Sequence, residues 1–515
     1  MSSAGWRALA GLVAVSTATI CNAAWLRASS THFILYADEN PAQLRAFAEK
    51  LERFDDAVRH VRNMDDPPIG DGNRLTVFVV RSDGEVQKLI HDKTGDVRGF
   101  YIPRASGSVA FVPRKSGSGS EWDLDADIVF FHEYSHHLMM QDLDAPVPPW
   151  LVEGFAEFMS TASFEKDGSV DLGNAAKHRA YSLMLGTKLP IERILDGSNA
   201  KIGTEEGESL YARGWLLTHY LTFEPSRRGQ LDKYLDGIAR GIDPLQSART
   251  AFGDLKQLDR EIDKYVERPK LNFVRVSASA IKTGPIDVQA LSEGASVVLP
   301  FRIQSKRGVD QKTAEPLAAQ VRAVEARYPG DELVELTLAE TELDAGHPEA
   351  SEAAADRSLK IDPRSTEGLI FKGRAIAQRA EKLEGAARHT AFPQARDFFI
   401  AANKIDTEDP EPLALYYRTY VQEGVSPTTN AIAALHYASD LAPQDKGLRM
   451  TSAVAYLKEG KFAEAKRALT PVAYDPHGGQ LADVARAMIG KIDSGNAKAA
   501  LAARTDEAAS EPGSH

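Results

Sequence analysis

Thiol chemistry is almost absent from this sequence. Only one of its 515 residues is a cysteine, Cys21, and it lies in an apolar segment near the N-terminus. The chain beyond residue 24 therefore offers no disulfide, no cysteine nucleophile and no thiolate metal ligand. Any metal site in that part of the chain must be built from histidine, aspartate and glutamate.

Positive charge and long apolar runs are also scarce. The 61 lysines and arginines are outnumbered by 73 acidic residues, which gives a formal net charge of −12. Duplex nucleic acid requires clustered positive charge, so we expect no nucleic acid partner. No segment after the N-terminus reaches the roughly 20 apolar residues that span a bilayer. A hydrophobic fraction of 43% is typical of soluble globular proteins, and the length predicts more than one domain.

The N-terminus has the pattern of a signal peptide. Arg7 precedes the apolar stretch ALAGLVAVSTATICNA, which ends in small residues at Ala23 and Ala24. This pattern predicts that residues 1–24 direct export and that the mature protein is periplasmic or secreted. The alternative is an uncleaved segment that anchors the chain to the inner membrane. In either case we interpret Cys21 as incidental.

Hydrophobic patterning predicts an α+β unit over residues 25–270. Alternating and β-branched segments predict strands at Phe33–Tyr36 and at 74–80, and a hairpin between residues 99 and 113. Apolar positions at helical spacing predict helices after residue 120. They are expected from Asp123 to about Gln141, from Pro148 onward, and around residues 175–187, 207–222 and 229–240.

The C-terminal part is helical and periodic. Residues 271–310 carry weak strand signals in FVRVSA and ASVVLPFRI and are interpreted as a connector. Beyond them, prolines at helix ends recur in steps of 34, 47, 33 and 33 residues, with glycines between the paired helices. The prolines are Pro329, Pro363, Pro410, Pro443 and Pro476, and the glycines are Gly346, Gly424 and Gly460.

A period close to 34 residues resembles the tetratricopeptide repeat. The longer step implies an insertion of about a dozen residues, which we place within EKLEGAARHTAF. Each repeat buries its apolar face against its neighbour, so stacked copies over residues 311–495 form one helical domain. Residues 496–515 are rich in Ala, Ser, Glu and Gly, and we expect them to form a disordered tail.

The segment FHEYSHHLM contains a candidate metal-binding motif. It contains His132, Glu133 and His136 in the HExxH arrangement. On a helix, residues four apart lie on one face, so both imidazoles can reach one ion while Glu133 points beside it. The structural alternative is a pair of hydrogen-bonded core histidines. The motif arises by chance in roughly a few per cent of chains of this composition, so its surroundings must decide.

The following segment, WLVEGFAEF, resembles the gluzincin metallopeptidases. These enzymes carry HExxH on one helix and a glutamate ligand on the next, often within W-L-x-E-G-x-A. The resemblance implies a zinc ion held by His132, His136 and Glu153, with Glu133 as the general base that activates water. It also implies that Glu157, one helical turn after Glu153, accepts the free N–H of His132.

Two further features are implied by the same resemblance. Gluzincins use a tyrosine from a downstream helix to stabilise the oxyanion, and SLYARGWLLTHYL resembles that segment, which makes Tyr211 the candidate. Tyr101, Tyr134 and Tyr220 are the alternatives. The strand Ser108–Pro113 precedes the HExxH helix and is expected to pair with an extended peptide, as gluzincin edge strands do.

Over nearly the whole chain after residue 24, the sequence resembles bacterial gluzincin-like "peptidase MA-like" proteins with tetratricopeptide tails. WLRASSTHFILYADEN, HEYSHH, W-L-x-E-G and Y-A-x-G-W carry the resemblance. It implies an α+β zincin-like metallopeptidase domain followed by an all-α tetratricopeptide-type solenoid. We expect a structural role for His137, helix packing for Trp215, His219 and Tyr220, and a place in the core for Phe130 and Phe131.

The expected function is zinc-dependent hydrolysis of peptide bonds. SVAFVPR lacks the Gly-x-Met-Glu-Asn motif with which aminopeptidases hold a free N-terminus, which favours an endopeptidase. The repeats would recruit the peptide substrate or a protein partner. One alternative is a cell-envelope binding or assembly scaffold with a structural or vestigial zinc site. Another is zinc-dependent hydrolysis of a bond other than a peptide bond.

Overall fold

The computed structural model describes residues 25–92, 97–114, 116, 120, 124–141, 143, 145–196, 204–475, 478–496 and 498–501. The predicted signal peptide and most of the predicted tail lie outside these residues. The described chain is mostly helical, with a small sheet near the N-terminus and a helical repeat array after it. No helix in the described part of the chain is long and apolar enough to cross a membrane.

The strands form two sheets. They are β1 (Leu26–Ser29), β2 (Phe33–Ala37), β3 (Leu75–Val80), β4 (Phe100–Ile102), β5 (Val109–Pro113), β6 (Ser163–Phe164), β7 (Val170–Leu172), β8 (Val274–Val276) and β9 (Asp287–Ala290). The larger sheet has the order β4-β5-β3-β2-β1-β9, with β2, β3 and β5 mutually parallel and the others antiparallel to their neighbours. The smaller sheet has the order β6-β7-β8.

Ten helices precede the array in the described residues. They are α1 (Pro41–Arg62), α2 (Asp83–Leu89), α3 (Ala126–Gln141), α4 (Pro149–Ser160), α5 (Ala180–Met184), α6 (Ile191–Leu195), α7 (Thr204–Phe223), α8 (Gln230–Ala239), α9 (Pro244–Phe252) and α10 (Leu255–Val266). The single helix expected around residues 175–187 is instead a 3₁₀ turn, Lys177–Arg179, followed by α5. The other predicted strands and helices of this unit are confirmed to within a few residues.

The array contains eleven described helices. They are α11 (Glu293–Arg307), α12 (Gln311–Glu325), α13 (Glu332–Asp344), α14 (Pro348–Ile361), α15 (Thr366–Glu381), α16 (Gly385–Ile405), α17 (Pro410–Glu423), α18 (Thr429–Leu441), α19 (Lys446–Lys458), α20 (Phe462–Ala473) and α21 (Gln480–Asp493). Consecutive helices pack as antiparallel pairs, and each pair packs on the next. The three predicted glycines adopt positive φ, between 77° and 81°, where side chains are disfavoured. The predicted insertion lengthens α16 to 21 residues.

The larger sheet is buried on both faces. Leu35, Val77 and Ala110 face α1 and α3 in the main core. On the opposite face the rings of Tyr36, Phe78 and Phe111 stack in a row, with neighbouring centroids 5.5 Å apart. A strand buried on both faces is apolar at successive positions, which accounts for the run LTVFVV in β3.

The segment 271–310, predicted as a connector, contributes to both units. FVRVSA contains β8, which completes the smaller sheet, and β9 joins the larger sheet beside β1. The strand signal in ASVVLPFRI was wrong, because this segment lies in α11. Its buried residues Ala295, Val298, Leu299 and Ile303 follow helical spacing, and Leu299 and Ile303 cover the aromatic row of the sheet. Packing overrides the β-branched composition here.

The expectation that Ser108–Pro113 is an edge strand was also wrong. In the structure β5 lies inside the sheet, between β3 and β4. The short strand β4 takes the edge position and runs antiparallel to β5. On this side of the sheet, the edge that could pair with an extended chain is therefore that of Phe100–Ile102.

A charged cavity of about 840 Å³ lies between the second face of the sheet and the array, beside the place where α11 packs on that face. Its walls come from β2, β3 and β5 on one side and from α11, α13 and α15 on the other. The helices α11, α13 and α15 of the array thus face the chain's own sheet. Across the cavity, the backbone amide of Gly72 donates to Asp406, 3.4 Å away.

A buried ionic network ties α1 to α3. His32 Nδ1 lies 2.8 Å from Glu52, and its Nε2 lies 2.9 Å from Asp66. Asp55 accepts from Arg59 at 2.8 Å and from Tyr134 at 2.7 Å. Burial lowers the pKa of His32, but the hydrogen bond to Glu52 and the charge of Asp55 outweigh burial and raise it to about 9.

His32, Asp55 and Asp66 could hold a metal ion by geometry. Protonated His32 and Arg59 already supply the positive charge that a metal ion would bring to these carboxylates, so we interpret the cluster as structural.

This network predicts a pH-dependent stability. A histidine pKa of about 9 in the folded state exceeds the value near 6.5 in the unfolded chain. The contribution of protonated His32 to the free energy of unfolding is fully present below about pH 6.5. It is lost as the pH rises through 9, which lowers the free energy of unfolding by up to about 3 kcal/mol. Urea unfolding of the wild type and His32→Gln between pH 6 and 9.5 measures this loss as the difference between them. The same substitution at the largely exposed His389 is the control, and an equal pH dependence in all three proteins contradicts the prediction.

Candidate metal centre

The helices α3 and α4, which carry the HExxH and W-L-x-E-G motifs, begin at residues that favour a helix start. Asp125 Oδ1 accepts the backbone N–H of Ile128, 2.9 Å away, and so caps the start of α3. The helix α4 begins at Pro149, a position where the missing proline N–H costs no helical hydrogen bond. Their buried faces meet, so the histidines of α3 lie opposite the glutamates of α4. His132, His136 and Glu153 are thereby brought to one place.

Three potential ligand atoms converge between these helices. His132 Nε2 lies 3.1 Å from His136 Nε2 and 3.1 Å from Glu153 Oε2, and His136 Nε2 lies 3.4 Å from the same oxygen. Ligands of a tetrahedral zinc ion stand about 3.3 Å apart, because zinc bonds to nitrogen and oxygen measure about 2.0–2.1 Å. The separations and the N, N, O donor set therefore fit such an ion. Their role as metal ligands stays a prediction.

Glu157 lies behind the imidazole of His132. Its Oε1 is 3.3 Å from His132 Nδ1, so Nε2 is left to face the other ligand atoms. Burial lowers the pKa of His132, but hydrogen bonds to Glu153 and Glu157 raise it to about 10. A carboxylate at Nδ1 orients the ring and increases the basicity of Nε2 when a metal binds. The contact has the geometry that the resemblance implied.

Two residues that the sequence analysis missed hold Glu157 in place. Arg179 donates to its Oε1 at 2.7 Å and to its Oε2 at 3.3 Å, and His178 Nε2 lies 3.0 Å from Oε2. Burial would raise the pKa of Glu157, but these partners, with Arg179 the largest, keep it well below its usual range. Both residues lie on the 3₁₀ turn before α5, in the segment AKHRAY, which matches no motif.

A close helix crossing places Tyr211 at the site. A Cβ on Gly154 would lie 2.4 Å from the carbonyl oxygen of Gly214, and one on Gly214 would lie 2.9 Å from that of Trp150. The glycines of W-L-x-E-G and Y-A-x-G-W therefore allow α4 and α7 to touch backbone to backbone. Tyr211, on α7, has its ring 5.8 Å from that of His132 and 5.1 Å from the guanidinium of Arg179.

The other tyrosine candidates are distributed differently. Tyr134 points away from the centre and donates to Asp55, and Tyr220 donates to Glu261 at 3.0 Å. Tyr101 belongs to the edge strand β4 and lines the same small cavity as Glu133. Burial raises its pKa, as it does that of Tyr211. Tyr211 thus remains as the neutral donor whose ring lies close to a residue of the centre, His132.

The remaining histidines of these helices are buried and have structural partners, as expected. His137 stacks on Tyr134, and burial followed by the charge of Arg59 lowers its pKa to about 3. His219 lies 2.9 Å from the hydroxyl of Tyr265, and burial lowers its pKa to about 4. Phe130, Phe131, Trp215 and Tyr220 belong to the main core.

Comparison with known proteins adds little to this geometry. No protein family matches the sequence, and no curated protein matches it. Among solved structures, a thermophilic TPR protein from Thermus thermophilus aligns with 38% of this chain and 96% of its own length. The two chains are 16% identical over that region, and the TM-score is 0.31. The repeat architecture described above therefore rests on the helix pairs of this chain itself.

The glycine crossing generates a stability prediction. Gly154→Ala forces the backbones of α4 and α7 apart, and the strain outweighs the gain in helix propensity, so we expect a loss of about 1–3 kcal/mol. Gly490→Ala is the matched control, since Gly490 lies inside α21 with open space around it. That variant should gain about 0.5–1 kcal/mol. Equal unfolding free energies for the two alanine variants in urea titrations would contradict a tight crossing.

Proposed function

We propose that this protein is a zinc-dependent peptidase, with His132, His136 and Glu153 as the zinc ligands. The observation that carries the proposal is the convergence of three buried donor atoms at tetrahedral spacing, with Glu157 behind one of them. When bound, zinc polarises a carbonyl group and activates water as a nucleophile. The side chains of His132, His136 and Glu153 are each 8% exposed or less. Water therefore screens their electrostatic interactions with a zinc ion only weakly.

Glu133 is the proposed general base. It follows His132 on α3 but is only partly buried, whereas both ligand histidines are buried. A carboxylate oxygen at this position takes the proton of the attacking water and delivers it to the nitrogen of the leaving amine. Tyr211 donates from its neutral hydroxyl to the oxyanion, since its raised pKa keeps the proton in place.

The edge strand β4 is the proposed binding element for an extended peptide. Its outer edge offers backbone donors and acceptors, and β-strand addition uses such an edge. Tyr101, on this strand, lies close to Glu133, so a peptide paired with Phe100–Ile102 would run past the base. This arrangement favours endopeptidase action, because pairing along an edge does not require a free terminus.

Export across the inner membrane remains part of the proposal, because the N-terminus has the pattern of a signal peptide. The destination is the periplasm or the external medium.

The competing function is an envelope scaffold that binds a protein partner through the repeats and keeps zinc as a structural ion. The repeat array favours a protein partner as such. Its first helices, however, face the chain's own sheet across the charged cavity, which leaves less of that surface for a partner.

Zinc binding is the first expected outcome. Elemental analysis of the purified mature protein should find about one zinc per chain, lost in Glu153→Ala. Glu157→Gln should keep the ligands but weaken zinc affinity about 10–100-fold, measured by competition with a chelator. Glu165→Ala, an exposed glutamate on the same unit, is the matched control and should bind zinc as the wild type does. A wild type that binds no zinc after reconstitution would contradict the proposal.

The role of Glu133 separates the peptidase from the scaffold. Glu133→Gln keeps the size and polarity of the side chain but cannot accept the proton, so we expect hydrolysis of an unstructured protein substrate to fall about 10²–10⁴-fold. Zinc content should stay at the wild-type level. Cleavage at the wild-type rate in this variant would show that the site is not the seat of hydrolysis.

A further inference from the structure

An apolar pocket of about 490 Å³ opens at one end of the larger sheet, between α2 and α11. Trp25 precedes β1, and Val80 is the last residue of β3. Because β1 is antiparallel to β2 and β2 is parallel to β3, these two residues lie at the same end of the sheet. Leu89, the last residue of α2, and Ile303 of α11 add to the apolar walls. None of the lining residues belongs to the candidate metal centre.

The walls of this pocket are continuous with the core of the protein. Val80 and Ile303 are buried, and Trp25 and Leu89 are partly buried against the cluster that contains the aromatic row of the sheet. Val309, between α11 and α12, adds a further apolar side chain. Concave sites of this volume with mainly apolar walls are typical of sites that bind small molecules. A hydrocarbon chain in the pocket would leave water for apolar side chains, which the hydrophobic effect favours.

The charged residues of the pocket are mostly basic. Arg81, Lys88 and Arg307 line it, and among the described residues Glu85 is the single acidic one that does so. Glu85 Oε2 already accepts the backbone N–H of Arg81 at 2.9 Å, and the guanidinium of Arg81 pairs with Asp38 at 2.9 Å. Within the described part of the chain, neither Lys88 nor Arg307 forms an ion pair with a carboxylate. Two cationic side chains are therefore available to an anion here, although the whole chain has a formal net charge of −12.

We propose that this pocket binds a single-chain anionic amphiphile, such as a free fatty acid. The hydrocarbon chain lies against Trp25, Leu89 and Ile303, and the carboxylate forms charge-assisted hydrogen bonds with Lys88 and Arg307. Apolar walls alone would accept many ligands, whereas their combination with two cations selects an apolar chain with one anionic end. The inference goes beyond the proposed peptidase function and does not depend on it.

The concave shape of the site favours a free amphiphile over a bilayer surface. A volume of about 490 Å³ encloses part or all of one chain. Peripheral binding to a bilayer instead uses a projecting amphipathic surface whose apolar side chains enter the interface. Val80 and Ile303 are 5% exposed each, so these parts of the wall cannot reach into a bilayer.

Chain-length dependence tests the apolar part of the site. Isothermal titration calorimetry of the mature protein with octanoate, decanoate and dodecanoate, each below its micelle concentration, should show one saturable site per chain. Each added methylene group should tighten binding about 2–4-fold, because it buries more apolar surface. Binding that does not saturate, or an affinity that is independent of chain length, overturns the proposal.

The double variant Lys88→Gln/Arg307→Gln tests the anionic part of the ligand. It should weaken decanoate binding about tenfold and leave the gain per methylene group unchanged, since the apolar walls are intact. Lys382→Gln/Lys404→Gln is the matched control, because it removes the same charge from exposed lysines that do not line the pocket. This control should bind decanoate as the wild type does. Equal decanoate affinities in the two double variants overturn the proposal.

Tryptophan fluorescence locates the ligand. Bound 11-bromoundecanoate should quench the emission of Trp25 by contact, and most of the quenching should disappear in Trp25→Phe, since Trp150 and Trp215 are fully buried in the main core. Quenching that persists in Trp25→Phe places the ligand elsewhere and overturns the inference. Phosphatidylglycerol vesicles test the bilayer. Cosedimentation that is weakened in Lys88→Gln/Arg307→Gln, without saturable decanoate binding, assigns these cations to a membrane surface and overturns the proposal.

Discussion

Burial of the carboxylates of Glu153 and Glu157 opposite His132 is the constraint on which the N-terminal unit depends. The two carboxylates are 2% and 1% exposed, and a buried charge without partners would be strongly destabilising. Imidazoles from α3, the guanidinium of Arg179 and the ring of His178 supply those partners. The sheet beneath α3, the crossing of α4 on α7 and the 3₁₀ turn before α5 each hold one of these groups.

The helical array is an integral neighbour of this unit. The connector region gives one strand to each sheet, α11 covers the aromatic row of the larger sheet, and the α18–α19 corner is bonded to the β4–β5 turn. An array attached at several separate places moves with the unit it contacts, because each buried contact must break for the two to separate. This attachment explains how Arg449, from a distant repeat, can donate to the last turn of α3.

Much of the fold could be predicted because it follows from local patterns. The HExxH spacing spans about one helical turn, and each proline or glycine acts on the helix end beside it. The errors arose where long-range packing decides. ASVVLPFRI has the composition of a strand but becomes α11, because its apolar residues cover a sheet face. Strand Ser108–Pro113 looked like an edge, but β4, which is shorter and less buried, pairs on its outer side.

The sequence by itself determined the residue types of the candidate metal centre, their spacing on two helices and the repeat period, since these depend on helix geometry and on the chemistry of each side chain. Only the tertiary structure decided which groups surround them. His178 and Arg179 hold Glu157 from a turn without a motif, Tyr211 rather than Tyr134 faces the centre, and Arg449 donates to the carbonyl oxygen of Met140. Such contacts join residues far apart in the chain, and burial and backbone packing, which no local pattern records, select them.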